Sequence, residues 1–323
     1  MASADVNIQF CRNTDVVSRA FCQLSAVAAD LRKLLKPSWD RDIEGPILNS
    51  SFPKSPTAST AVSNDIPGVG RLTNEAKMHP QPLEFGITTD CGITDNISWW
   101  DSDAEVTTVL SRPDTDPELW DEYLRGAVES YRRHGVERAV DVDAVRDGSD
   151  TAMFWATLDS TGRVIGGLRA KGPLLSADDS HATVEWAGQP GLAAVRKMID
   201  DRVPFGVLEM KTAWTTDDRD KARRISTALA RTPFHAMTLL DIQFCMATSA
   251  PHILERWRTS GAVVAPIPAT PYPDERYRTK MMWYDRRTFA NHAAPDQIPK
   301  IFREMSIVST RAEAQPSDRA AAL

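Results

Sequence analysis

Between residues 105 and 289 the apolar positions switch repeatedly between two spacings, every second residue and every third or fourth. The first spacing marks strands and the second marks helices. EVTTVL (105–110) reads as a short strand. Asp116-Pro117 then supplies a helix cap and a first-turn proline, and Leu119, Tyr123, Ala127 and Tyr131 share one face of a helix running to about His134. TAMFWATLD (151–159), the tight DSTG loop and RVIGGLRAK (163–171) predict an antiparallel hairpin. A helix from Gly191 to Asp201 and a strand FGVLEMKTAW (205–214) follow. DDRDKARRISTALAR (217–231) opens with acids and closes with a base, as a helix dipole favours. IQFCMATS (242–249) is a buried strand, and PHILERWRTSG (251–261) a short helix closed by Gly261. AVVAPIP (262–268) and YRTKMMWYDRRTF (277–289) read as two last strands. A hairpin mixed with βαβ units predicts an α/β chain: a mixed sheet with helices on both faces.

Ahead of this region the texture differs. Val17, Ala20, Phe21, Leu24, Ala28, Leu31 and Leu35 predict an amphipathic helix, suited to docking on the main domain or on a second copy of the chain. That leaves a homodimer open. Seven of the 21 prolines fall between Pro37 and Pro82 among Ser, Thr, Asn and Gly, the composition of a flexible linker. The expected organisation is a helical segment over 1–36, a linker over 37–100, the main domain over 101–290, and a short helix with a disordered tail over 291–323.

A formal charge of −6 gives no electrostatic reason to expect nucleic acid. No apolar run approaches the roughly 18 residues of a membrane-spanning helix, and the start MASADVNIQF lacks the basic and apolar regions of a signal peptide. A cytoplasmic protein is the expectation. Cys11, Cys22, Cys91 and Cys245 are scattered, as are the six histidines, so neither a disulfide framework nor a metal site is expected.

One stretch resists a purely structural reading. GRVIGGLRAKGP (162–173) puts two glycines in mid-strand and follows them with Arg169 and Lys171. Strand glycines are expected where the chain bulges or another group comes close. The element order, with GRVIGGLR on the third strand, resembles the GNAT acyltransferase superfamily, most of all the branch of acyl-homoserine-lactone synthases and N-acyl amino acid synthases. The resemblance covers about residues 105–289. It rests on EYLRGAVESYRR with Arg125, AVDVDAVRDG with Asp141 and Asp143, STGRVIGGLRA with Arg169, and VLEMK with Glu209.

The resemblance implies an acyl-CoA N-acyltransferase fold in which two neighbouring strands splay and a pantetheine arm bonds in the gap like an added strand. Amides near Met210 and Lys211 then face the thioester oxygen, and Glu209 serves as base, its pKa raised on an apolar strand. Arg169 offers a fork for a carboxylate, and Arg125, Asp141 and Asp143 complete the acceptor side. The leaving-group acid falls to His252, Ser249 or Tyr272, with His252 first. Cys245 reads as core, and Trp155, Trp214, Phe244 and Met246 as core or as the wall of an acyl tunnel. One departure stands out: the loop TTDDRDKARR has no glycine for a pyrophosphate cradle, and its Asp217, Asp218 and Asp220 oppose an anion that Lys221, Arg223 and Arg224 would attract.

Three functions remain in play. The first is acyl transfer from acyl-CoA or acyl carrier protein, as co-substrate rather than permanently bound cofactor, to a small amine such as an amino acid. The second is acetyl-CoA dependent N-acetylation, and the third is thioester sensing without catalysis. The gap between strands 205–214 and 242–249 discriminates among them.

Overall fold

A computed structural model of the chain describes residues 91–315. The helix expected at 15–36, the proline-rich stretch up to 90 and the last eight residues lie outside the described part. Eight strands form one sheet in the order β1-β2-β3-β4-β5-β6-β8-β7. These are β1 (Ile97–Asp101), β2 (Val106–Ser111), β3 (Thr151–Leu158), β4 (Val164–Lys171), β5 (Val207–Thr215), β6 (Phe244–Ser249), β7 (Val263–Val264) and β8 (Lys280–Asp285). Every neighbouring pair is antiparallel except β5 and β6, which run parallel. The architecture is mixed α/β and GNAT-like.

The helices are α1 (Pro117–Arg133), α2 (Val142–Val145), α3 (Ala182–Glu185), α4 (Leu192–Asp200), α5 (Arg219–Leu229), α6 (Thr232–Leu239), α7 (Pro251–Arg258) and α8 (Ile298–Glu313). They cover both faces of the sheet. Met153, Trp155, Leu208 and Met210 pack with α5, α6, α7 and α8. On the opposite face Phe154 and Ala156 meet α1, while Val207 and Met246 meet α3 and α4. Successive strand residues point to opposite faces, so both faces of β3 and β5 are apolar because both are covered.

Helix α1 explains the second of the paired glycines; the first, Gly166, sits against Thr157 Oγ1 and Ile225 on the other face. Asp116 caps the helix by accepting from the Leu119 N–H at 3.0 Å. Its Tyr123 lies on β4 so closely that a Cβ on Gly167 would come within 2.8 Å of the ring. Gly167 is the seat of a helix on the sheet.

Four differences from the sequence expectations have physical causes. Strand β1 begins at Ile97, inside the stretch assigned to the linker; it is short, and only Ile97, Trp99 and Asp101 turn inward. Helix α6 follows α5 almost at once and is buried on nearly all sides, so it shows no amphipathic stripe. The 262–268 strand shrinks to Val263–Val264 because Pro266 and Pro268 cannot donate to a ladder. The short C-terminal helix is a 16-residue one, α8. It is tied down by Arg231, whose guanidinium pairs with Asp101 of β1 and bonds to Glu304 and Gln297 of the α8 region, all four of them buried.

Candidate active site

Strands β5 and β6 pair from Val207↔Phe244 to Met210↔Ala247 and then part. Beyond that point Lys211–Thr215 have no partner on β6. On its other side β5 stays paired with β4, but between Gly167↔Trp214 and Arg169↔Lys211 it carries one residue more than β4. That extra residue makes a bulge at Thr212, whose φ of 54° is rare for a β-branched side chain. Such a conformation costs roughly 1–3 kcal/mol and persists only where the surroundings enforce it. Here Tyr123 Oη donates to the Thr212 carbonyl at 2.8 Å and Tyr131 Oη to the Ala213 carbonyl at 3.3 Å. Helix α1 thus holds β5 in the bend that takes it away from β6.

The parting opens a cavity of about 630 Å³ lined by Met210–Thr216 of the β5 segment and Ala247–Ala250 of the β6 segment. Tyr131 and His134 of α1 line it together with Arg219 of α5 and His252 and Arg256 of α7. Because α1 and α7 lie on opposite faces of the sheet, the opening passes between the strands. Tyr272 and Tyr277, from the segment before β8, complete the wall.

At the fork of the two strands sits a carboxylate, Glu185 of α3. Its Oε1 accepts from Lys211 Nζ of β5 at 2.6 Å and from Thr248 Oγ1 of β6 at 2.9 Å. His181 Nδ1 lies 3.0 Å from the same oxygen and 3.1 Å from Lys211 Nζ. A neutral imidazole cannot donate to Glu185 and accept from Lys211 through one nitrogen, so its tautomer decides which contact is a hydrogen bond. Burial pushes the Glu185 carboxyl up, but the Lys211 charge and hydrogen bonds from His181 and Lys211 pull it down to about 2. Lys211 is opposed by burial and held above its ordinary value by Glu185 and Glu209. Both groups are therefore ionised at neutral pH. Glu185 Oε2 is buried and has no hydrogen-bond partner.

Glu209 lies one layer deeper, 0% exposed. Its Oε2 accepts from Ser180 Oγ at 3.1 Å and from the His181 N–H at 2.8 Å, and Lys211 Nζ is 3.9 Å from its Oε1. It supports the Lys211 charge from beneath and is not among the residues lining the cavity. Met210 and Lys211 stand on the wall, as do His252, Ser249 and Tyr272. Burial, reinforced by Glu185, raises the Tyr272 hydroxyl to about 12, so it stays protonated.

Other expected residues are placed elsewhere. Arg169 is buried, with Nη1 on Asp150 at 2.5 Å and on Thr151 Oγ1 at 2.8 Å, and Lys171 reaches the same Asp150 at 2.9 Å. The two cations of β4 share one carboxylate, which spends the Arg169 fork inside the chain. Arg125 is exposed on α1, Asp141 caps α2 through the Ala144 N–H at 3.1 Å, and Asp143 is exposed beside Arg146 at 3.7 Å. None of the three lines the cavity. Lys221, Arg223 and Arg224 lie on α5 outside the lining, Arg224 pairing with Glu105 at 3.3 Å. The start of α5 is closed: Asp218 Oδ1 accepts from the N–H groups of Asp220 and Lys221, both at 3.1 Å. Trp155, Phe244 and Met246 belong to the packed core, whereas Trp214 lies on the wall; Cys245 is core, its thiol pushed up by burial. His181, Glu185 and Thr248 escaped the sequence reading. The signal for the first two is the SHATVEW stretch, with His181 and Glu185 four residues apart.

No helix among the described residues is long and apolar enough to cross a membrane. The mixed sheet with two strands parting midway is the arrangement expected of a GNAT-like fold. No family model matches the chain. Among solved structures it is similar to FeeM, an N-acyl amino acid synthase from uncultured soil microbes, with a TM-score of 0.43 and 12% identity over 55% of this chain and 90% of that one. It is also similar to BjaI, a CoA-dependent acyl-homoserine lactone synthase, with a TM-score of 0.40 and 17% identity over 64% and 97%. In sequence it is 54% identical over 226 residues to the uncharacterized proteins Rv1356c of Mycobacterium tuberculosis and Mb1391c of Mycobacterium bovis, covering 70% of this chain and 83% of theirs. The chain belongs to the family of these mycobacterial proteins.

Proposed function

We propose that the chain is an N-acyltransferase that passes an acyl group from a thioester donor to an amine by direct attack. The observation that carries this reading is the parting of β5 from β6 after Met210↔Ala247, with the cavity open between them. An extended pantetheine arm fits an unpaired strand edge as an added strand does, which brings its thioester beside Met210 and Lys211. The amine lone pair forms the C–N bond and the oxyanion develops; the C–S bond then breaks, and the proton lost by the nitrogen ends on the departing thiolate, giving an amide and a free thiol.

Each step has a candidate group. Lys211, charged and largely buried, stabilises the oxyanion together with the β5 amides, and removing one such donor typically costs about 2.7–4 kcal/mol. Glu185 receives the acceptor nitrogen through its unpartnered Oε2. Glu209 acts on the amine only through Lys211 and His181, as a positioning residue. Tyr272, Ser249 and His252 are the wall groups from which the departing thiolate takes a hydrogen bond.

The donor is acyl carrier protein or acyl-CoA. Asp218 occupies the α5 amides that would otherwise hold a pyrophosphate, while Arg219 and Arg256 at the cavity carry no ion pair among the described residues. The same Asp218 contacts favour a second reading, a protein that binds the pantetheine arm without turnover. Mass spectrometry after incubation with acetyl, short-chain and long-chain donors and an amino acid pool separates them. Acylated amine from long chains supports the proposal, acetylated amine narrows it to acetyl transfer, and saturable donor binding with no product favours the second reading. No product and no binding with any donor would remove both.

A further inference from the structure

A second cavity, of about 220 Å³, lies on the far part of the sheet and shares no lining residue with the first. It is bordered by Met198 and Arg202 at the end of α4, Phe244 of β6, Trp283 of β8 and the edge segment from Val263 to Pro266. Phe244 and Trp283 meet edge to face at 6.3 Å. The Arg202 guanidinium rests on both rings, 4.6 Å from the Trp283 centroid and 5.3 Å from that of Phe244.

Stacking of this kind contributes about 0.5–2 kcal/mol, but it does not satisfy the N–H groups in the guanidinium plane. Arg202 Nη1 donates to the Met198 carbonyl at 2.9 Å. Its Nε is buried and has no partner, and Nε with Nη2 is the edge that grips a carboxylate bidentately. Among the described residues no carboxylate lies within ion-pairing distance. Asp285, the acid on the same cavity, is already engaged by Gln243 at 3.2 Å, the Arg287 N–H at 2.9 Å and Thr288 Oγ1 at 3.1 Å. Burial lowers the proton affinity of Arg202 by more than the charges of Asp201 and Asp285 raise it. Trp283, 6% exposed, has an indole Nε1 that is also buried and unpartnered. Buried donors are nearly always paired. Two unpaired ones on adjacent side chains of one cavity mark a place for an acceptor the chain does not supply.

The opposite wall is apolar, formed by Val263, Val264, Ala265 and Pro266. The space equals about seven waters at liquid density, which sets a small ligand. We propose that this cavity is a second binding site that takes a short-chain monocarboxylate, its carboxylate on Arg202 and the Trp283 indole N–H and its carbon tail along Val263–Ala265. The inference is independent of the acyl-transfer reading: Phe244, its one residue from the parted strands, lies at the paired end of β6, and the two cavities share no lining residue.

Titration of the ¹⁵N-labelled full chain with sodium butyrate, at constant ionic strength, tests the site through the indole N–H resonances. The Trp283 signal, assigned with W283F or by contacts to the Met198 methyl, should shift saturably. R202Q should weaken binding at least tenfold, and R202K, which keeps the charge and loses the fork, at least fivefold. Neutral butyramide should leave the signal in place, and inorganic phosphate should bind more weakly than butyrate. Where R202Q does not fold, R202K with an unchanged spectrum elsewhere carries the test. No saturable shift, an equal response to butyramide or phosphate, or undiminished binding by R202K would overturn the proposal.

Discussion

Replacing Lys211 by Met removes the one cation at the fork and leaves Glu185 and Glu209 in the interior without it. The magnitude follows from Glu185. Its carboxyl falls from 4.5 to about 2 in the folded chain, and at about 1.36 kcal/mol per pH unit that amounts to roughly 3 kcal/mol. Breaking a buried ion pair from one side typically costs about 3–5 kcal/mol, in agreement. The sign with pH is equally specific. In the wild type the folded carboxyl binds its proton less tightly than the unfolded one, so the stabilisation is present above pH 4.5 and is lost as pH falls towards 2. In K211M burial is left to push the same carboxyl up, so folding now favours the protonated form. Stability of the variant should fall as pH rises above that value. Urea unfolding of both proteins at pH 5 and pH 8 measures the difference, with groups common to both cancelling. The destabilisation should be at least about 1 kcal/mol larger at pH 8, and a melting temperature lower by about 6–12 °C should accompany a loss of 3 kcal/mol. K211M/E185Q should recover roughly half of it. A loss under 1 kcal/mol that is equal at both pH values, with no recovery in the double variant, would refute the claim that Lys211 holds Glu185 ionised.

Three further outcomes are expected. G167A would drive a methyl into the Trp155 carbonyl and the Tyr123 ring; overpacking of this kind costs about 1–3 kcal/mol, and an unchanged melting temperature would show that α1 does not seat on β4 as described. R231M strips Asp101 and Glu304 of their shared cation, so a loss of about 3–5 kcal/mol is expected, with proteolysis beginning in α8. D218G frees the Asp220 and Lys221 amides at a helix cost of only about a few tenths of a kcal/mol; calorimetry should find tighter binding of coenzyme A, and equal or weaker binding would mean that the capped α5 is not what limits it.

Much of the fold was legible because it obeys local rules. The cap at Asp116, the Asp159–Arg163 turn and the period-2 runs at 151–171 each need only neighbouring residues, and each forms where expected. The parting of β5 from β6 lay between two strands that were readable, and Met210 and Lys211 duly line it. The charged pair at its centre was not readable in the same way. Glu185 comes from a four-residue helix in a long connection, and what makes it a site is contact with Lys211 and Thr248, 26 and 63 residues away. Arg169 shows the converse. Its residue type suited a carboxylate, but the carboxylate is Asp150, brought beside it by the start of β3. Pattern gives the orientation of a side chain on its own element, while its partner depends on which elements meet.

The hydrogen bonds from the Thr94 and Asp95 amides to Gln315 Oε1, at 2.6 and 3.1 Å, bring the beginning and end of the described chain to one spot. A body closed in this way tolerates being cut elsewhere. Joining Gln315 to Thr94 through a few glycines and opening the chain at the exposed Ser160–Gly162 turn gives a circular permutant with every sheet contact retained, and with the geometry of the cleft between β5 and β6 carried entirely by segments that remain covalently continuous.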